Sequence, residues 1–306
     1  MACFSRMTAY LVTGAGRPVF DRPDGPYRQI SLPCGGCIGC RIQRGTEWTL
    51  RLVHEAQLHE HNQFLTLTYN DDCLPGDYGL DHEHFQKFIR SLRKRLKVPL
   101  RFFMCGEYGS KFSRPHYHAV IFGLALTDLE PWKKSKGHMT YRSAFLEEVW
   151  DRGHVYVGES VTQDSCGYVA DYLLKEGCRD NRKDVYWENP ETGEQVRRKA
   201  PYIQMSRRPG IGHDWLKRFF TDVFPNDKCI KKVCTTSGKE RNREFGAPKY
   251  YRRLLQDWNP AMFQEVMARR ELAIDDPAYQ LDNTPERLAA RELVAEARLK
   301  RKETSL

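Results

Sequence analysis

The stretch Arg114-Pro-His-Tyr-His-Ala-Val-Ile-Phe122 decides the fold. Its aromatic and β-branched second half reads as a strand over Tyr117–Phe122. Side chains alternate along a strand, so His116 and His118 share one face and Tyr117 points to the other. A strand candidate precedes it, Leu100–Cys105, and a polar segment with Gly109, Ser110 and Ser113 joins the two. This punctuation predicts an antiparallel hairpin. Glu107 stands nine residues before His116, and an antiparallel return brings its carboxylate beside the imidazole pair. Two imidazoles and a carboxylate are a ligand set for a divalent metal. The alternative reading is an exposed His-x-His with no metal.

On either side the pattern alternates between helix and strand. Residues 41–60 read as a helix with Trp48, Leu52 and Ala56 on one face. Phe64-Leu-Thr-Leu-Thr-Tyr69 alternates apolar and threonine residues, a strand pattern. Residues 81–97 read as a second helix, N-capped by Asp81, with Phe85, Phe88, Ile89 and Leu92 on its apolar side. Beyond the hairpin, 141–151 reads as helical, His154–Val157 as short and extended, and Asp164–Leu174 as helical. The fold class expected is α+β, a central antiparallel sheet flanked by helices. Three segments follow: 1–44 with a cysteine cluster, 45–180 with the sheet, and 181–306 as a basic, mainly helical region. In that last region, 225–254 holds nine Lys and Arg against three acids, together with Phe245, Tyr250 and Tyr251. Residues 259–302 are rich in Ala, Leu, Glu and Arg.

Composition narrows the function classes. The chain has 306 residues, a formal charge of +9 and 12% aromatics, too many aromatics for a disordered chain. The longest apolar run, Ala119–Leu126, is far short of the roughly 20 residues that span a bilayer. Arg6 and Arg17 bracket a broken apolar stretch, so no signal peptide is expected. The positive balance points to a polyanionic partner. Seven cations and no acid lie within 87–101, and phosphate contact is their natural use. The DNA-contacting candidates are Arg90, Arg93, Lys94, Arg95, Lys97 and Arg114. The one Gly-Lys step, Gly238-Lys239, lacks the leading glycine of a phosphate-binding loop and is followed by Glu240, so no fused ATP-driven helicase is expected.

Of the ten cysteines, Cys34, Cys37 and Cys40 form a C-x₂-C-x₂-C run. The fourth position of an iron–sulfur pattern is Arg44 instead. With Cys3, or with His54, the run completes a tetrahedral zinc set. Free thiols and iron–sulfur remain the alternatives.

A second motif, Tyr168-Val-Ala-Asp-Tyr172-Leu-Leu-Lys175, places two phenols and an ammonium on one helical face. A phenol has a reference pKa of about 10 and is a poor nucleophile at neutral pH. It becomes effective against a phosphodiester polarised by a metal ion. Ordinary amphipathic packing is the alternative.

Taken in order, the Phe-Leu-Thr-Leu-Thr strand, Glu107, His116-Tyr-His118 and Tyr168-x-x-x-Tyr172-x-x-Lys175 resemble the HUH endonuclease superfamily. They are most similar to the replication-initiation proteins of gokushovirus-like microviruses, small single-stranded DNA phages. The resemblance also takes in Cys34-Gly-Gly-Cys37-x-x-Cys40, Gly106-Glu107-Tyr108-Gly109 and Pro209-Gly-Ile-Gly212. It covers roughly residues 1–255 and is most specific over 62–175. It implies an RRM-like nuclease core in 45–180 and Mg²⁺ or Mn²⁺ on His116, His118 and Glu107. It further implies attack by Tyr168 or Tyr172, with Lys175 stabilising charge. The partners implied are single-stranded and supercoiled origin DNA with a host helicase and polymerase, in the cytoplasm of a bacterial host. A transposase or relaxase of the same superfamily is the nearest alternative, though the tyrosine pair argues against a single-tyrosine transposase. A zinc-containing DNA-binding regulator is the alternative outside it.

Overall fold

Strands β4 (Arg101–Tyr108) and β5 (Pro115–Phe122) pair antiparallel, with Glu107 opposite His116 and Cys105 opposite His118. They sit inside a seven-stranded antiparallel sheet of order β11-β4-β5-β3-β8-β7-β6. The other members are β3 (Asn62–Thr68), β6 (Glu130–Ser135), β7 (His138–Arg142), β8 (Val155–Gly158) and β11 (Tyr202–Met205). The computed structural model describes every residue except 1–2, 13, 15–16, 110–111, 136–137, 159–160, 162–165, 168–169, 171–184, 190–191, 235–239 and 306. The chain divides into two compact units, Glu47–Arg252, which holds this sheet, and Met1–Thr46 together with Arg253–Leu306.

Both sides of the sheet are covered, by different helices. Helix α2 (His82–Leu96) starts where Asp81 leaves the extended region and its carboxylate accepts from Glu83 N–H at 2.7 Å. It stops at Lys97, whose φ of 55° cannot continue a right-handed helix. Between the caps, Phe85, Phe88, Ile89 and Leu92 recur at helical spacing and are buried. They join Tyr117, Ala119 and Ile121 of β5 with Leu146, Val149 and Trp150 of α3 (Ala144–Trp150) in one apolar cluster. Tyr117 therefore faces away from the histidines that flank it, as alternation predicts. On the other side, Leu52 of α1 (Ile38–Ala56) packs with Phe103, Cys105, Val120, Phe122, Cys166 and Ile211, flanked by Trp48 and Ala56. The loop from α3 to β8 runs so close to β3 that Gly153 (φ 148°) has no room for a side chain. A Cβ there would stand 2.4 Å from Thr68 O.

The helices, the central hairpin and the short β8 agree with the sequence reading, with shifts of a few residues at their ends. Three features were not in it. Residues 130–142 form the β6–β7 hairpin rather than leading straight into a helix. Five strands follow residue 180 among the described residues: β9 (Val185–Glu188) paired with β10 (Gln195–Arg198), β11 on the edge of β4, and β12 (Lys228–Cys234) paired with β13 (Glu240–Gly246). The basic 225–254 segment is thus largely a hairpin. The chain is helical only from Lys249, in α6 (Lys249–Trp258), α7 (Pro260–Asp275), α8 (Pro277–Leu281) and α9 (Pro285–Ser305); the short α4 (His213–Arg218) and α5 (Phe220–Val223) precede it.

In the second unit, β1 (Arg6–Val12) pairs along its whole length with β2 (Tyr27–Pro33). Arg6 Nη2 donates to Tyr279 Oη and Asn283 Oδ1, both at 3.2 Å, and Arg28 Nη2 donates to Glu271 Oε1 at 3.3 Å. The hairpin is thereby fixed to α7 and to the α8 end of the C-terminal helices. No described helix is long and apolar enough to cross a membrane.

Candidate metal centre

Glu107, His116 and His118 meet on the α1 side of the sheet because their positions have matching strand parity in an antiparallel register. Glu107 Oε1 lies 2.9 Å from His116 Nε2 and 3.3 Å from His118 Nε2. Neighbouring positions of an octahedron with ligands at about 2.1 Å lie about 3.0 Å apart, so the three atoms fit one small divalent ion. The remote ring nitrogens are held as metal-binding histidines require. His116 Nδ1 is 3.1 Å from Arg114 O. A carbonyl only accepts, so the hydrogen is on Nδ1 and the Nε2 lone pair faces the carboxylate. His118 Nδ1 is 3.0 Å from Thr66 Oγ1 on β3, the residue paired with His118 in the register. All three ligands are largely buried, with His116 the most open at 16% side-chain exposure. The mixed imidazole and carboxylate donors suit Mn²⁺ or Mg²⁺, with coordination positions left over for water or phosphate oxygens.

The same face continues past the triad. Tyr156 of β8 pairs with Thr66, and Arg142 of β7 pairs with Tyr156, so all three side chains share the triad's side. Arg142 is held by a bidentate contact to Glu147, at 2.8 and 2.6 Å, and its guanidinium lies 4.8 Å from the Trp132 ring centroid. Trp132 is 56% exposed. Sequence reasoning missed this extension because 130–142 was not recognised as strands. It also gave Thr66 no role, although its place in the Thr-Leu-Thr alternation was a usable signal.

The other expected residues are distributed differently. Tyr168, Tyr172 and Lys175 lie outside the described residues. Cys166, two positions before Tyr168, is buried in the apolar cluster on the triad's face. The cations of α2 belong to the helix on the opposite face. Arg93 Nε and Nη2 donate to Leu100 O at 3.1 and 2.6 Å, and Arg95 pairs with Glu148 at 2.7 Å. Arg90, Lys94 and Lys97 are exposed. Arg114, at the mouth of the triad's hairpin, pairs with Asp71 at 2.5 Å and donates to Tyr69 O at 3.0 Å. The Pro209–Gly212 stretch is structural: Gly212 N–H donates to Glu55 Oε2 at 2.6 Å, and Ile211 O accepts from Arg51 Nε at 3.0 Å.

A second cluster lies in the other unit. The Sγ atoms of Cys3, Cys34, Cys37 and Cys40 all lie within 4.8 Å of one another. Burial opposes ionisation of Cys37, yet backbone N–H groups of Cys40, Phe4 and Ser5 hold its thiol down at about 6. His54 is not part of this cluster. Its Nδ1 is 2.8 Å from Tyr251 Oη, and its ring stacks on Trp215 at 3.5 Å.

Comparison with known proteins follows the same lines. Residues 62–177 match the family described as replication-associated protein ORF2. The chain is 31% identical over 255 residues to the replication-associated protein VP4 of Bdellovibrio phage phiMH2K, covering 79% of this chain and 73% of that one. It is 31% identical over 263 residues to the replication-associated protein ORF2 of Spiroplasma virus 4, covering 82% and 76%. A replication-associated protein of Chlamydia phage 1 is 36% identical over 169 residues, covering 50% and 42%. No solved structure matches the chain.

Proposed function

The chain belongs to the phage replication-associated protein family described as ORF2, and from that membership we propose a specific chemistry. The protein is a metal-dependent endonuclease and strand transferase that nicks single-stranded origin DNA to start and finish rolling-circle replication. The observation that carries this reading is the convergence of Glu107 Oε1 with the Nε2 atoms of His116 and His118. A Mg²⁺ or Mn²⁺ ion on these ligands supplies Lewis-acid polarisation of the scissile phosphate.

The rest is work for the chain's own groups. Thr66 and the Arg114 carbonyl keep both imidazoles turned with Nε2 inward. The hydroxyl of Tyr168 or Tyr172 attacks the phosphorus and loses its proton. A bond forms from tyrosine oxygen to phosphorus, and the bond to the 3′ oxygen breaks. This leaves a 3′-hydroxyl for the host polymerase and a 5′-phosphotyrosine that conserves the bond for rejoining. Lys175 stabilises the charge on the phosphate or the departing oxygen. The second tyrosine serves the next cut, when the displaced strand is closed into a circle. Burial of Cys166 among residues of the triad's face supports this role for the segment that follows it. The incoming strand runs from the triad along Tyr156, Arg142 and Trp132, where an exposed ring beside a cation suits unpaired bases. The α2 cations contact phosphates of a more distant DNA segment, and a host helicase separates the strands.

The test is a labelled single-stranded oligonucleotide carrying the origin, incubated with protein and Mn²⁺ and run on a denaturing gel. A covalent adduct is expected. An adduct that persists in the Tyr168→Phe, Tyr172→Phe double variant would refute the tyrosine assignment.

A further inference from the structure

We propose that Cys3, Cys34, Cys37 and Cys40 bind one structural zinc ion, and that this ion staples the N-terminal hairpin on which the C-terminal helices are fixed. Four thiolates around one zinc at about 2.3 Å place their sulfurs about 3.8 Å apart. Here Cys3 Sγ and Cys37 Sγ are 3.9 Å apart, and all four sulfurs lie within 4.8 Å of one another. In an iron–sulfur cluster the thiolates are shared out among separate irons and stand further apart, so the spacing fits a single shared ion. None of the four is in a disulfide.

The backbone is arranged for thiolates. Gly36 and Cys37 N–H groups point at Cys34 Sγ at 3.3 and 3.2 Å, Phe4 N–H at Cys37 Sγ at 3.4 Å, and Cys34 N–H at Cys3 Sγ at 3.2 Å. Such donors stabilise anionic sulfur without competing for the metal. Four protein ligands close the site, which makes it structural rather than catalytic.

Position in the fold gives the ion its role. Arg6 and Pro33 are the paired residues at the open end of β1–β2. Cys3 lies just before the first and Cys34 just after the second, while Cys37 and Cys40 flank the start of α1. One ion therefore ties both hairpin ends to the first turn of that helix. The same hairpin holds Tyr279, Asn283 and Glu271 through Arg6 and Arg28. The ion organises residues from both ends of the chain at once.

The experiment uses full-length protein purified without a histidine tag. Elemental analysis is expected to find about one zinc per chain, unchanged in a His116→Ala, His118→Ala variant, so the result is independent of the nuclease assignment. Growth with cobalt should give the visible absorption of a tetrahedral cobalt–thiolate site. Stripping the zinc should make the segment after residue 255 newly sensitive to protease, and added zinc should reverse this. Iron in place of zinc, no bound metal, or an unchanged digestion pattern after stripping each overturns the proposal. A Cys37→Ser chain that keeps its full zinc overturns it as well.

Discussion

The cysteine cluster and the Glu107, His116, His118 centre are each small enough to hold one ion, yet they offer it different surroundings. The first presents four soft sulfurs from three short stretches, Cys3, Cys34 and Cys37–Cys40, and leaves no position for anything else. The second presents three harder atoms from two adjacent strands of a rigid sheet. It leaves positions open on a face that continues through Tyr156 and Arg142. A closed set lowers the free energy of a fold, whereas an incomplete set keeps part of the ion's field for a substrate. The difference follows from where the ligands sit: loop ends can wrap an ion, and side chains on a sheet surface can only approach it from one side.

The sharpest way to break this contrast is to remove the open centre alone. His116→Ala with His118→Ala should lower cleavage on the order of a thousandfold or more, the scale set by losing charge stabilisation at the phosphate. The fold by circular dichroism and the zinc content should not change. A matching fall in thermal stability would show that both centres are structural. Brief treatment with a chelator should likewise stop cleavage and leave the melting temperature alone, with Mn²⁺ restoring activity.

A smaller effect should come from Thr66→Val, which deprives His118 Nδ1 of its partner while preserving shape. Losing such an outer partner costs about 10–100-fold in metal affinity or activity. The Mn²⁺ concentration for half-maximal cleavage should rise by about that factor, and an unchanged value would remove Thr66 from the centre. Trp132→Ala should weaken binding of a single-stranded oligonucleotide by about 1–3 kcal/mol. Fluorescence anisotropy measures it, and unaltered affinity would mean the strand does not cross β6.

The gentlest test concerns His54, a histidine that serves neither centre. Burial pushes its pKa down to about 3, below its ordinary 6.5. Between those values the unfolded chain binds a proton that the folded chain refuses, so stability falls as pH drops below about 6.5. The contribution is at most about 1.4 kcal/mol per pH unit. Chemical denaturation at several pH values should show a shallower acid loss in His54→Gln, and an identical slope would contradict the assignment.

Much of the site was legible before any coordinates. The turn residues between Glu107 and His116 set the register, and the parity of 116 and 118 set the face, since both are local consequences of a hairpin. Helix α2 was equally readable, because Asp81 and the apolar spacing through Leu92 are written within a few turns. Other features were not. Strand β11 is four residues long and joins β4 from about a hundred positions away, so its pairing depends on contacts no local window contains. The β6–β7 hairpin was hidden because Pro131 and a run of lysines do not read as strand. The choice of Cys3 over His54 was open in the sequence and was settled by packing, with His54 consumed by Tyr251 and Trp215.

By itself, then, the sequence determined the local chemistry: a carboxylate and two imidazoles on a hairpin, a spaced cysteine run, and a helix with one apolar side. Those follow from periods of two and 3.6 residues and from the spacing of turns. Only the tertiary structure decided which groups share a face. It put the α2 cations behind the sheet, Thr66 behind His118, and Cys3 beside a run that begins 31 positions later. Such neighbours are chosen by burial of the whole apolar surface at once, and no short stretch of chain encodes that choice.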